Sequence, residues 1–209
     1  MPSKIKNLLE KIIGEKAPGP ARTFSIFHVL RAIELLSEKP VGRGKLAQEL
    51  SVGEGAVRTL INRLKEAGIV STSKAGCQLT VKGLKLFEEY KKVFRKRAKI
   101  EKTKLMPTPF NSAMLARNCG DKVKSGIEQR DAAVRVGAKF VTTIIFKNGR
   151  LIIPSVCDDL SRDYPKIAEK LIELLQPEEN DVIVVAGADS LELAEYGAIA
   201  AAWALFEDC

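Results

Sequence analysis

Residues 46–70 read "LAQELSVGEGAVRTLINRLKEAGIV", two short helical patterns with a corner between them. Leu46, Ala47 and Leu50 form the apolar side of the first pattern. Ser51, Val52 and Gly53 supply the tight corner. Val57, Leu60, Ile61 and Leu64 then recur at i, i+3, i+4 and i+7, the spacing that gathers side chains on one helix face. With that stripe turned inward, Ala56, Arg58, Thr59, Asn62 and Arg63 are left for the outer surface. Gly68 stands where a helix end favours the left-handed backbone conformation that glycine adopts without strain.

The chain continues "IVSTS", "KAG" and "CQLT", two short strands about a turn carrying Lys74 and Gly76. Thr80 then caps a helix, "VKGLKLFEEYKKVFRKR". A helix pair with this corner is a helix-turn-helix unit, whose second helix fits the major groove of DNA. From residue 22 to 97 the sequence resembles the winged-helix family of prokaryotic DNA-binding domains, on "LAQELSVGEGAVRTLINRLKEAGIV" and "QLTVKGLKLF" together. The resemblance implies that residues 54–66 read the major groove and that Lys74, at the hairpin tip, touches the backbone or minor groove. The residue types agree. Arg forms bidentate bonds to guanine and Asn to adenine, so Arg58, Asn62 and Arg63 suit base edges. Thr59 suits a thymine methyl or a phosphate, and Arg43 and Lys45, beside the first helix, suit phosphate. Glu54 departs from this pattern, since an acid at the helix start repels phosphate unless it accepts from cytosine.

Charge supports nucleic acid as a partner. The 209 residues carry a net +8, but residues 1–105 hold 23 Lys and Arg against 10 Asp and Glu, and residues 106–209 hold 11 against 16. The balance of +13 against −5 points to two domains with different partners, 1–105 and 106–209. A concentrated positive field most often serves phosphate. The 45% apolar content is that of a globular protein. No apolar run reaches the roughly 18 residues of a membrane span, and the N-terminus lacks a signal peptide's apolar core. A cytoplasmic location and no membrane partner are therefore expected.

Around the central motif, "SKIKNLLEKIIGEK" puts Ile5, Leu8, Leu9, Ile12 and Ile13 on one helical stripe, and "APGPAR" breaks it. Thr23 is expected to cap the next helix, with Phe24, Phe27, Val29, Leu30, Ile33 and Leu36 buried and His28, the single histidine, as a core residue. Cys77, Cys119, Cys157 and Cys209 form no CxxC pair and read as buried thiols. "KKVFRKRAKIEKTK" (91–104) is densely basic and reads as an extension of the preceding helix that becomes a linker.

From residue 110 the pattern becomes mixed. Strands are expected at "SAMLARN", "KFVTTIIF", "RLIIPSV" and "DVIVVAGA". Helices are expected at "DKVKSGIEQRDAAVRVGA", with Ile127, Ala133 and Val134 inward, at "RDYPKIAEKLIELLQ", with Ile167, Leu171 and Leu174 buried, and at "SLELAEYGAIAAAWALF". Asn148-Gly149 is a strong hairpin signal. The order β-α-β-β-α-β-α matches a ferredoxin-like arrangement with one added helix, the helices lying on one face. The small residues of the last helix allow close packing, against the sheet or against another subunit. The fold class is thus α+β: an amino-terminal winged helix-turn-helix domain followed by a carboxy-terminal α/β domain. The whole chain resembles an uncharacterised archaeal family with a winged helix and a carboxy-terminal domain of unknown function.

No catalytic constellation stands out, with no histidine base in the second half, and neither metal nor cofactor is expected. The "CDDLSRD" stretch clusters Asp158, Asp159 and Asp163 but reads as a capping turn. "VGRGKLA" resembles a phosphate-binding loop yet lacks the Ser or Thr that magnesium needs. Ligand candidates are Arg117 and Lys122 in "RNCGDK", and Asp189 and Ser190, where a strand opens a helix. The expected function is a DNA-binding transcriptional regulator, a homodimer on double-stranded DNA, with the second domain sensing a small-molecule effector or dimerising. The alternatives are an enzyme with a DNA-binding appendage and a winged-helix interaction scaffold.

Overall fold

The first helix of the helix pair starts at Arg43, because Pro40 and Gly42 hold the preceding chain extended. It is one of the elements in a computed structural model that describes residues 8–9, 12–14 and 24–206. The described chain divides into two compact units, residues 1–91 and 92–209. Ile5, the "APGPAR" break, the expected cap Thr23 and Cys209 lie outside the described residues.

The first unit holds helices α1 (Ile26–Glu38), α2 (Arg43–Glu49), α3 (Glu54–Glu66) and α4 (Val81–Val93, ending at the unit boundary), with a hairpin of β1 (Val70–Ser73) and β2 (Gly76–Leu79). α1 begins after Ser25, and His28 serves this start: the Ser25 backbone N–H donates to His28 Nδ1 at 2.9 Å. The histidine is therefore a half-buried capping residue rather than a core residue. Phe27 is also only half-buried, while Phe24, Val29, Leu30, Ile33 and Leu36 enter the core. α2 ends on Ser51 in the left-handed conformation (φ 49°), with Ser51 N–H bonded to Gln48 O and Val52 N–H to Ala47 O. α3 ends the same way on Gly68 (φ 72°), with Gly68 N–H bonded to Lys65 O and Ile69 N–H to Leu64 O. Thr80 opens α4, its hydroxyl accepting from Gly83 N–H at 3.1 Å. Cys77 exchanges two 2.9 Å backbone bonds with Val41, which fixes the hairpin to the strand-like residue before α2.

The second unit is a five-stranded antiparallel sheet in the order β3-β4-β7-β5-β6, from β3 (Phe94–Ile100), β4 (Phe110–Ala116), β5 (Phe140–Lys147), β6 (Arg150–Ile152) and β7 (Val182–Ala188). Its helices are α5 (Ile127–Val134), α6 (Leu160–Asp163), α7 (Pro165–Leu175) and α8 (Leu191–Ala204). The basic stretch expected to continue α4 is instead the edge strand β3. Lys and Arg favour helix locally, but pairing of residues 94–100 with β4 overrides that preference, and cations suit an edge.

The sheet order also corrects the ferredoxin-like expectation. There the hairpin strand β6 would slot between β4 and β5; here β7 takes that place and β6 is left at the edge. All seven residues of β7 are buried, as an apolar run at the centre of a two-sided sheet should be. Helices cover both faces rather than one. Leu160, Leu171 and Leu175 of α6 and α7 pack with Leu115, Ile144, Ile183 and Val185. On the other face α5 and α8 lie over β4, β5 and β7. α8 comes so close that a Cβ on Gly197 would stand 2.8 Å from Ala138 Cβ and 3.0 Å from Ala186 Cβ, so its small residues serve packing within the chain.

α5 is shorter than expected and buries Gln129 and Ala133, whereas Ile127 and Val134 are about half exposed. Starting at Gly126 (φ 82°) turns them outward. Ile167 and Leu174 are partly buried beside the fully buried Leu171. Asn148 and Gly149 both have positive φ, the signature of a type I′ turn. Cys77, Cys119 and Cys157 are buried free thiols. Among the described residues no helix is long and apolar enough to cross a membrane.

Candidate nucleic-acid interface

α3 carries the interface because its two sides differ completely. Val57, Leu60, Ile61 and Leu64 are at most 2% exposed. Arg58, Thr59 and Asn62 are exposed, and Ala56 is half-buried. The Thr59 hydroxyl donates to Gly55 O at 3.1 Å, leaving its methyl group and oxygen lone pairs on the surface. Arg43 and Lys45 of α2 and Lys74 at the hairpin tip are exposed as well. Glu54, the acid at the start of α3, lies towards α2: its Oε1 is 3.6 Å from where a Gly44 Cβ would be.

Arg63 does something else. Its Nη1 donates to the carbonyls of Ile12, Ile13 and Gly14 at 3.1, 3.0 and 3.1 Å, and its guanidinium lies 5.7 Å from the centre of the Phe24 ring. Helix C-terminal carbonyls lack partners within their own helix, and the Arg63 Nη1 group supplies donors to three carbonyls of the leading segment. The residue expected to meet bases has its guanidinium turned to the leading segment.

Between α3 and the hairpin runs an open hollow of about 420 Å³, lined among others by Arg43, Asn62, Lys65, Thr72 and Ser73. Lys65, Thr72 and Ser73 are exposed and belong with the candidate contacts, though the sequence reading passed over them. Lys65 was within reach of it, since 58, 62 and 65 continue one helical stripe. Thr72 and Ser73 needed the hairpin to bring them opposite α3. Cys77 also lines the hollow, but burial pushes its thiol above the ordinary range, against the smaller opposing pull of Arg43 and Lys65. It therefore packs as a neutral side chain.

The ligand candidates of the second unit do not converge. Ala116 pairs with Val182 and Phe110 with Ala188, so Arg117 and Lys122 lie near one end of β7 and Asp189 and Ser190 at the other. Arg117 pairs with Glu178, and Lys122 lies 4.2 Å from the centre of the Phe206 ring. Asp189 pairs with Lys139 at 2.5 Å, and Ser190 caps α8 by accepting from Leu193 N–H at 3.2 Å. In the acidic turn Asp159 caps α6 by accepting from Ser161 N–H, and Asp163 accepts from the Cys157 thiol at 3.0 Å. That thiol bond, followed by Arg162, holds Asp163 below the usual carboxylate range. Burial and the same bond hold the Cys157 thiol above its own. Among the described residues no group of three or more His, Cys, Asp or Glu could hold a metal ion.

Residues 25–94 match the CggR N-terminal DNA binding domain, and residues 108–205 match a domain of unknown function, DUF4443. One stretch of the chain is thus similar to a DNA-binding-domain family and the next to a domain of unknown function. The chain is also similar to the solved structure of a hypothetical protein from Pyrococcus horikoshii OT3, at 27% identity and a TM-score of 0.71, over 88% of this chain and 94% of that one. No curated protein matches it.

Proposed function

We propose that this chain is a DNA-binding transcriptional regulator. α3 lies in the major groove, with Arg58, Thr59 and Asn62 towards base edges. Arg43, Lys45, Lys65 and the hairpin tip at Lys74 take the flanking phosphates. The second unit senses a small molecule or joins two copies, and the protein acts in the cytoplasm, where the DNA is. The observation that carries this reading is the exposed cationic and amide stripe of α3, backed by four fully buried apolar residues on one rigid helix. The match of residues 25–94 to a DNA-binding domain supports the same partner.

Mobility shifts of the full chain on duplex DNA test it. Because phosphate contacts release counterions, affinity is expected to fall steeply between about 50 and 200 mM salt. Absence of any binding at the lower salt concentration would leave the interaction-scaffold reading in its place.

A further inference from the structure

The outer face of α5 is apolar at both ends and charged in the middle. Gln129 and Ala133 are the helix's buried residues, and α5 packs on β5 and α8. Ile127, Arg130, Asp131 and Val134 stand at i, i+3, i+4 and i+7, together on the opposite side. Ile127 and Val134 are 51% and 52% exposed. The Arg130 and Asp131 side chains are 57% and 48% exposed and pair with each other at 3.0 Å. Gly137 follows the helix, its N–H bonded to Val134 O, and Leu193 of α8 lies against it: Leu193 Cδ2 is 3.1 Å from where a Gly137 Cβ would stand. Leu193 is 36% exposed and so extends the apolar strip past Val134. Single apolar side chains are ordinary on a surface; here two share one helix face and a third adjoins them.

We propose that this face joins two copies of the chain, α5 against α5, antiparallel about a two-fold axis. The pattern is self-complementary. The midpoint of α5 lies between Arg130 and Asp131, so reversing the helix exchanges Ile127 with Val134 and Arg130 with Asp131. Across a two-fold axis residue i meets residue j, and j meets i. Ile127 of each copy then meets Val134 of the partner subunit, and Arg130 of each copy faces Asp131 of the partner subunit. Opposite charges confront each other twice at the axis, with apolar contacts on both flanks. A different protein would have to present the same apolar, basic, acidic and apolar groups in reverse order, which a second copy supplies by itself. This rests on the reading that the second unit joins two copies, and names the surface that does so.

Light scattering of the full chain over a dilution series around micromolar concentration tests it, without DNA. The wild type is expected to be a dimer. Arg130→Asp and Asp131→Arg each set like charges against each other across the axis, and each is expected to weaken self-association by about tenfold or more. An equimolar mixture of the two variants is expected to restore the dimer, because one copy then brings two acids to the axis and the other two bases. Both positions are about half exposed, and recovery in the mixture shows that each variant is folded. A monomeric wild type overturns this interface together with the joining role of the second unit. A dimeric wild type whose variants associate as tightly overturns the interface alone, as does a mixture no more associated than its two components. A failed mobility shift on DNA is a separate result.

Discussion

Arg58, Asn62 and Lys65 follow one another up the exposed side of α3, and each has a different chemistry to offer DNA. Arg58 and Asn62 can make paired hydrogen bonds to a base edge, so Arg58→Ala or Asn62→Ala is expected to cost roughly 1–3 kcal/mol of discrimination at one base position. Lys74 is a point charge at a turn tip. Lys74→Ala is expected to weaken all sequences alike and reduce the salt slope by about one. Binding of the three variants to a selected site and to a scrambled one separates the roles; equal losses on both DNAs for Arg58→Ala and Asn62→Ala would show that α3 does not read sequence. Arg63, one residue further round, behaves differently. With three carbonyls as acceptors it contributes to folding, so Arg63→Ala is expected to lower unfolding free energy by about 1–3 kcal/mol. Urea denaturation reads that loss directly. Helical spacing counts Arg63 among the outward residues, but only the position of the leading segment shows where its long side chain goes.

At the scale of elements, two close approaches set the architecture. A Cβ on Gly83, in the first turn of α4, would fall 2.2 Å from Ile69 O and 3.2 Å from Leu79 Cβ. Backbone cannot yield as a flexible side chain does, so Gly83→Ala is expected to cost about 1–3 kcal/mol and to lower the melting temperature. In the second unit, Glu178 binds Arg95 of β3 at 2.7 Å and also pairs with Arg117, just after β4. The Arg95 hydrogen bond is the main cause of a Glu178 pKa below its ordinary 4.5. A carboxylate lowered by folding stabilises the native state above its unfolded pKa, and that contribution fades as pH falls through the folded value. Glu178→Gln is therefore expected to flatten the acid side of the melting-temperature profile below pH 4.5, an effect kept small by the exposure of both partners. The helix-turn-helix and the Asn-Gly hairpin were legible in sequence because their signals are local. β3 was not, because its state depends on a partner strand ten residues further on.

For the whole molecule, the boundary changes the meaning of the charge. Residues 1–91 hold 16 Lys and Arg against 9 Asp and Glu, a balance of +7, and residues 92–104 hold 7 against 1. Nearly half of the amino-terminal excess thus belongs to the second unit, where Arg95 and Arg97 are paired with Glu178 and Glu195. The cations available to DNA are fewer than the composition suggested. Two helix-turn-helix units on a two-fold axis fit two half-sites, and cyclic dimers are the commonest oligomers. Light scattering of the full chain at micromolar concentration, alone and with operator DNA, is expected to show a dimer; a monomer in both samples would count against it.

Local patterning in the chain settles its local objects: the helix pair with its corner, the outward placement of Arg58 and Asn62, the hairpin turns and the apolar central strand. Each follows from side-chain periodicity or from backbone conformations within a few residues. Tertiary structure alone decided the rest. It made residues 94–100 an edge strand and inserted β7 between β4 and β5. It drew Arg63 to the leading segment and set Thr72 and Ser73 opposite α3. These depend on contacts between residues tens of positions apart, whose energies no local pattern records.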